Sequence, residues 1–152
     1  MKNNSLKHLN IALLCAGMLS KGYTTAKEKK QEVAPQRIKA SSGWSYEIIT
    51  AAPAGAKAPK KGDRVSVHYT GWLDEKKTKK FDSSVDRKKQ FEFNLGRSEV
   101  IRGWDEAVAD MKVGEKRLVI IPSDLAYGNR GAGNFIPPHA TLYFEIELIT
   151  LK

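Results

Sequence analysis

One cysteine, Cys15, and three histidines are all that 152 residues offer for soft metal binding. A lone thiol cannot form an intramolecular disulfide, so cysteine usage does not reveal a redox compartment. With no Cys/His cluster, nothing has the spacing of a zinc site, and neither metal nor cofactor is expected. Long apolar runs are missing as well. The stretch Leu9 to Leu19 is too short to cross a bilayer comfortably, so no stable membrane span is expected.

Acidic residues are outnumbered, 17 against 26 Lys and Arg, for a net charge of +9. Such a surplus suggests nucleic acid, but its location argues otherwise. Residues 1–40 carry eight basic side chains against Glu28 and Glu32, whereas residues 41–152 carry 18 against 15. Within the latter, positive charge gathers in Lys76-Lys77-Thr78-Lys79-Lys80 and Arg87-Lys88-Lys89. Runs of this kind belong to solvated loops. A nucleic-acid footprint would interleave a basic face with exposed aromatics, and none is visible, so no nucleic-acid partner is expected.

What is present divides into three parts. Lys2 and Lys7 ahead of the apolar run, with small residues at Thr24-Thr25-Ala26, follow the pattern of a signal peptide cleaved after Ala26. That pattern makes residues 1–26 an expected leader and the protein an exported, periplasmic one. The alternatives are a disordered tail on a cytoplasmic protein, or lipidation at Cys15, which the bulky Leu13-Leu14 disfavours. Residues 27–40, rich in Lys, Glu and Gln, read as a linker. Residues 41–152 read as one domain.

Alternation within that domain predicts strands over Trp44–Ile49, Val65–Tyr69, Phe91–Leu95 and Leu142–Leu148, and a further strand over Lys116–Ile121 is stopped by Pro122. Gly71 marks a bulge or a close backbone approach. Val100, Ile101, Trp104, Val108 and Met111 recur at helical spacing, which predicts one short helix within 101–111. Strands in runs with one helix between them give an α+β domain: a curved antiparallel sheet of about five strands around one short helix. The long segment Ser123–His139 has the length of a functional lid or rim.

Seven motifs now stand in order: Val67-His68-Tyr69-Thr70-Gly71, Lys80-Phe81-Asp82-Ser83-Ser84, Phe91-Glu92-Phe93 with Leu95-Gly96, Val100-Ile101-Arg102-Gly103-Trp104, Met111-Lys112-Val113-Gly114-Glu115, Ala126-Tyr127-Gly128 and Ile136-Pro137-Pro138-His139-Ala140-Thr141-Leu142. Together they resemble the FKBP-type peptidyl-prolyl cis-trans isomerase family over roughly residues 44–152. The resemblance implies catalysis of X-Pro rotation in protein folding, proline-containing polypeptides as partners, and inhibition by macrolides. It implies a site with Trp104 as the floor under a prolyl ring, walls of Tyr69, Phe91, Val100, Ile101 and Phe144, and Phe81 at the reacting end. The Ile101 N–H and the Tyr127 hydroxyl would hold substrate carbonyls, Asp82 would polarise the rim, Arg87 would orient Asp82, and Phe135 and Ile136 would form an upper lip. Read without the resemblance, the same aromatics are ordinary core, Asp82 is a turn or cap residue, and Tyr127 is a packing tyrosine. A binding module or folding chaperone without catalysis is the other functional class.

Two departures from the family pattern stand out. The loop from Asp74 to Lys80 is about two residues longer than in compact members. Gly133-Asn134 replaces Pro-Gly, which predicts a floppier loop there. No dimerising arm is visible, so a monomer is expected.

Overall fold

The computed structural model describes residues 36–152. The expected leader at 1–26 and most of the expected linker lie outside the described residues. Seven strands and one helix follow in the order β1 (Ile38–Lys39), β2 (Ser45–Thr50), β3 (Arg64–Trp72), β4 (Lys80–Ser83), β5 (Phe91–Asn94), α1 (Arg102–Ala109), β6 (Lys116–Ile121) and β7 (Leu142–Leu151). All pairings are antiparallel, in the order β1-β2-β6-β7-β3-β4, with β5 also on β3. The antiparallel sheet with one helix is as expected, but it has two more strands. Ile38–Lys39 pairs with β2 at Tyr46 and Ser45, so the sheet begins ahead of Ser41. Lys80–Ser83 pairs with the end of β3.

Strand β3 organises the sheet. One edge pairs with β7 along nearly its whole length. The other is shared, Arg64–Val67 with β5 and Thr70–Trp72 with β4. Residues 84–90 leave the sheet between those two partners. Ser84, fully buried, fills the gap: its hydroxyl accepts the Tyr69 N–H at 2.8 Å and its own N–H donates to the Tyr69 carbonyl at 3.0 Å. The ladder bond that no strand supplies is thereby replaced, as a buried backbone donor requires.

An eight-residue helix is too short to persist alone. Here α1 buries Gly103, Trp104, Ala107 and Val108, the i, i+1, i+4, i+5 stripe of one face, against the sheet. A Cβ on Gly103 would lie 2.4 Å from Ile121 Cγ2, so glycine sets how closely the helix approaches β6. Asp105 accepts the Gly96 and Ser98 N–H groups at 2.9 and 3.2 Å, which ties the loop before the helix to its first turn. Between helix and sheet lies one core, built from Val65, Val67, Phe93, Val108, Met111, Val119, Ile121, Leu142, Ile146 and Leu148 among others.

The long connection between β6 and β7 opens with a 3-10 turn at Ser123–Leu125. Reciprocal Ala132–Ile136 backbone bonds of 2.9 and 3.0 Å close its tip, and His139 donates to the Gly128 carbonyl at 2.9 Å. Gly131 adopts φ +65°, and a Cβ there would meet the Ile136 carbonyl oxygen at 2.3 Å. The tip is thus a hydrogen-bonded hairpin, even though the Pro-Gly pair is missing.

Candidate active site

Alternation along β3, β5 and β7 turns Tyr69, Phe91 and Phe144 toward the start of α1, where Trp104 stands on the first turn. The indole is boxed by ring edges. Its centroid lies 4.9 Å from Tyr69, 5.3 Å from Phe144 and 6.0 Å from Phe91, at interplanar angles of 84–87°. Phe81 on β4 meets Phe144 at 5.6 Å and 84°. Edge-to-face packing of this kind fixes each ring by its neighbours.

Gly71 makes the arrangement possible. It pairs with Phe144 across β7, and a Cβ there would lie 2.6 Å from Phe81 Cζ and 2.8 Å from Phe144 Cε1. The expected bulge occurs at this residue, where the β3–β4 register shifts between Gly71 and Trp72, and what approaches it closely is a pair of rings rather than backbone.

Above the indole is a hollow of about 170 Å³, lined by Tyr69, Phe81, Asp82, Phe91, Glu99, Val100, Ile101, Trp104, Tyr127 and Phe144. Nine of the twelve residues singled out in the sequence therefore share one cavity. Glu99 is the tenth lining residue and was not anticipated. It is an exposed acid held by Asn94, whose backbone N–H and side-chain amide both donate to it, at 2.8 and 2.7 Å.

The remaining three lie elsewhere. Arg87 stands outside the cavity but donates to the Asp82 carboxylate, and its other guanidinium nitrogen donates to the Tyr69 hydroxyl at 3.0 Å. Phe135 projects into solvent, 72% exposed, and does not line the hollow. Ile136 is no lip residue: its side chain is buried in the core. Neighbours in extended backbone face opposite ways, and the Ala132–Ile136 bridge turns Ile136 inward and Phe135 outward.

The polar equipment is sparse. Asp82 accepts from the Tyr69 hydroxyl, from Arg87 and from the Ser83 N–H. Burial pushes its carboxyl up, but the Tyr69 and Arg87 hydrogen bonds, the Arg87 charge and the Ser83 N–H outweigh that and hold it below its ordinary value. The Tyr69 hydroxyl is pushed up by burial and by the Asp82 hydrogen bond, against the opposing effect of Arg87. Tyr127 is pushed up by burial and by the Asp82 charge, so its hydroxyl stays a donor. The Ile101 carbonyl accepts from Trp104 and Asp105, while its own N–H has no backbone acceptor among the described residues. The Trp104 indole N–H, buried under the hollow, also meets no acceptor among them.

No group of His, Cys, Asp and Glu among the described residues could hold a metal ion. The hollow contains one carboxylate fixed by an ion pair, one exposed glutamate, two phenols and apolar walls. It suits recognition of an apolar ring beside a carbonyl.

Comparison with known proteins agrees. The FKBP-type peptidyl-prolyl cis-trans isomerase family model matches residues 55–149. The chain is 49% identical over 107 residues to peptidyl-prolyl cis-trans isomerase Fkbp12 of Drosophila melanogaster, covering 70% of this chain and 97% of that one. It is 55% identical over 89 residues to the FK506-binding protein of Neisseria meningitidis serogroup A, covering 59% and 80%. Among solved structures it is similar to FkpA from Escherichia coli, with a TM-score of 0.68 and 38% identity over 76% of this chain and 51% of that one.

Proposed function

Because the chain belongs to the FKBP-type peptidyl-prolyl cis-trans isomerase family, we propose that the hollow above Trp104 is where it acts and that the geometry of that hollow is its mechanism. The activity is rotation about X-Pro peptide bonds, and the protein is an isomerase. The observation that carries the assignment of the site is the ring-edged box around Trp104, open on one side and walled by Tyr69, Phe81, Phe91 and Phe144.

Rotation is slow because the planar amide must give up conjugation. No covalent bond breaks, so no nucleophile is required. The enzyme has to bind the twisted amide better than either planar form. A twisted amide has less charge separation, and apolar walls favour it. Lowering the barrier by about 5–7 kcal/mol corresponds to an acceleration of about 10⁴–10⁵. Trp104 would seat the prolyl ring, while the Ile101 N–H and the Tyr127 hydroxyl would hold the flanking carbonyls. Asp82, kept ionised and oriented by Arg87 and Tyr69, would supply a fixed field at the rim.

The test is exchange spectroscopy on an X-Pro peptide. Wild type should speed cis-trans exchange, and Trp104→Leu should slow it at least tenfold while keeping a native amide spectrum. Binding without accelerated exchange would make the hollow a capture module instead.

The same hollow would take a macrolide, as the name of the Neisseria relative says of that protein. FK506 should then compete with the peptide. Export is supported by Lys2, Lys7 and the apolar run that follows them, and N-terminal sequencing of the mature protein would test it. A monomer is the expected state in solution, measurable by light scattering.

A further inference from the structure

A concavity larger than the aromatic hollow lies next to it. It encloses about 980 Å³ and is lined by Arg64, His68, Arg87, Lys88, Lys89, Gln90, Phe91 and Glu92. Phe91 belongs to both cavities, so one ring is the wall between them. The basic run Arg87-Lys88-Lys89, which the isomerase reading leaves without a role beyond Arg87, forms one side of this second cavity.

Its charges are unevenly matched. Glu92 is taken by Arg64 at 3.0 Å and Lys152 at 2.5 Å. Asp82 is held by Arg87, and Asp86, next in the same loop, by Lys80. Lys88 and Lys89 are exposed and form no ion pair among the described residues. The loop is nevertheless shaped. Lys88 adopts φ +53°, its N–H donates to the Val85 carbonyl at 2.9 Å, and the Lys89 N–H donates to the Ser84 carbonyl at 3.1 Å. Two free ammonium groups are therefore presented at a cavity that shares a wall with the proline hollow, while the carboxylates of Asp82, Asp86 and Glu92 have each found another cation.

We propose that this cradle is an extension of the substrate site that selects acidic residues in the same polypeptide whose proline occupies the hollow. The inference rests on the isomerase reading of that hollow. An extended chain advances about 3.3 Å per residue, so a cavity this wide and adjacent meets side chains about two to four residues from the proline. Contiguity with the hollow favours a polypeptide over nucleic acid.

The experiment uses peptides with one common Leu-Pro core and two Glu, two Gln or two Lys placed two to four residues before or after the proline. Exchange rates give kcat/KM, and amide shifts of Lys88 and Lys89 give binding. The Glu peptide on one side should exceed the Gln peptide by about three- to tenfold, as befits two exposed ion pairs, mainly through KM. The preference should collapse at about 1 M salt. Lys88→Glu/Lys89→Glu should abolish or invert it and leave the rate on the Gln peptide unchanged. Equal kcat/KM for Glu and Gln peptides on both sides overturns the proposal, as does a preference that survives in the double variant. Tighter binding of a short single-stranded oligonucleotide through the same two lysines also overturns it. If no peptide is turned over, the isomerase reading fails by itself. The Lys88 and Lys89 shifts with the Glu peptide then decide: shifts exceeding those with the Gln peptide uphold an acid-selective cradle, and their absence refutes it.

Discussion

Two clusters in this domain are assembled from the same parts: an arginine, carboxylates and a tyrosine ring. At the rim, Arg87 pairs with Asp82 and its guanidinium carbon lies 5.8 Å from the Tyr69 ring centroid. On β6, Arg117 pairs with Glu115 at 2.6 Å and Asp110 at 2.7 Å, donates to the Asp110 carbonyl at the end of α1, and lies 4.0 Å over Tyr46. Their burial differs. The Arg117 and Glu115 side chains are each only 6% exposed, whereas Arg87 and Asp82 are half and two-fifths exposed. Burial lowers the Arg117 pKa, but Glu115 and Asp110 more than restore it. One cluster fastens the helix end to the sheet. The other stays partly wet beside a cavity, free to respond to what enters.

That contrast breaks most readily at Arg117. Arg117→Ala leaves Glu115 charged and buried, and should cost about 3–5 kcal/mol in urea unfolding, with the specific activity of the folded fraction kept. A loss under about 1 kcal/mol would place this cluster with the rim. Replacing both buried charges, Glu115→Gln/Arg117→Met, should recover at least half of that loss, because the only carboxylate left without its cation is Asp110, which is more than half exposed.

At the rim the order reverses. Asp82→Val should lower kcat/KM about tenfold and change stability by less than about 1 kcal/mol, since exposed pairs contribute little. Unchanged exchange rates would mean the carboxylate has no part in the reaction. The smallest effect concerns pH. The folded Asp82 carboxyl titrates below its unfolded value of about 3.9. Its contribution to stability is therefore complete above that value and lost as pH falls through the folded one. Arg87→Ala removes two of the influences that offset burial, so the Asp82 titration followed by carboxyl-carbon NMR should move upward. No movement would show that Arg87 does not set the field at the rim.

Strands β3, β5 and β7 were legible because one face is more buried than the other, which writes period two into residues such as Phe91–Glu92–Phe93, whereas β6 is buried on both faces and showed as the apolar run Leu118–Ile121 stopped by Pro122. Helix α1 was legible from the Trp104–Val108 stripe. Strand β4 was not, because Lys80–Ser83 has four residues and no alternation and owes its extended form to Thr70–Trp72 alongside. Strand β1 is only two residues in a charge-rich stretch and exists because Tyr46 and Ser45 receive it. The site was legible as a set of family motifs rather than as physics, since alternating aromatics announce a core and a cavity wall alike. Ile136 shows the cost: a motif position does not say which way a side chain turns when a local bridge decides it. Glu99 carried no periodic signal, and only its bonds to Asn94 place it at the mouth.

Strand β7 lies between β6 and β3, so the sheet's middle seam is sewn by residues 142–151. During synthesis at about 5–20 residues per second, the halves on either side wait unjoined until those ten residues clear the ribosome. Pairings of such long sequence separation form late. A catalyst of slow steps in other chains thus has a slow closing step of its own, and shortening it by that one strand would unseam the sheet rather than trim it.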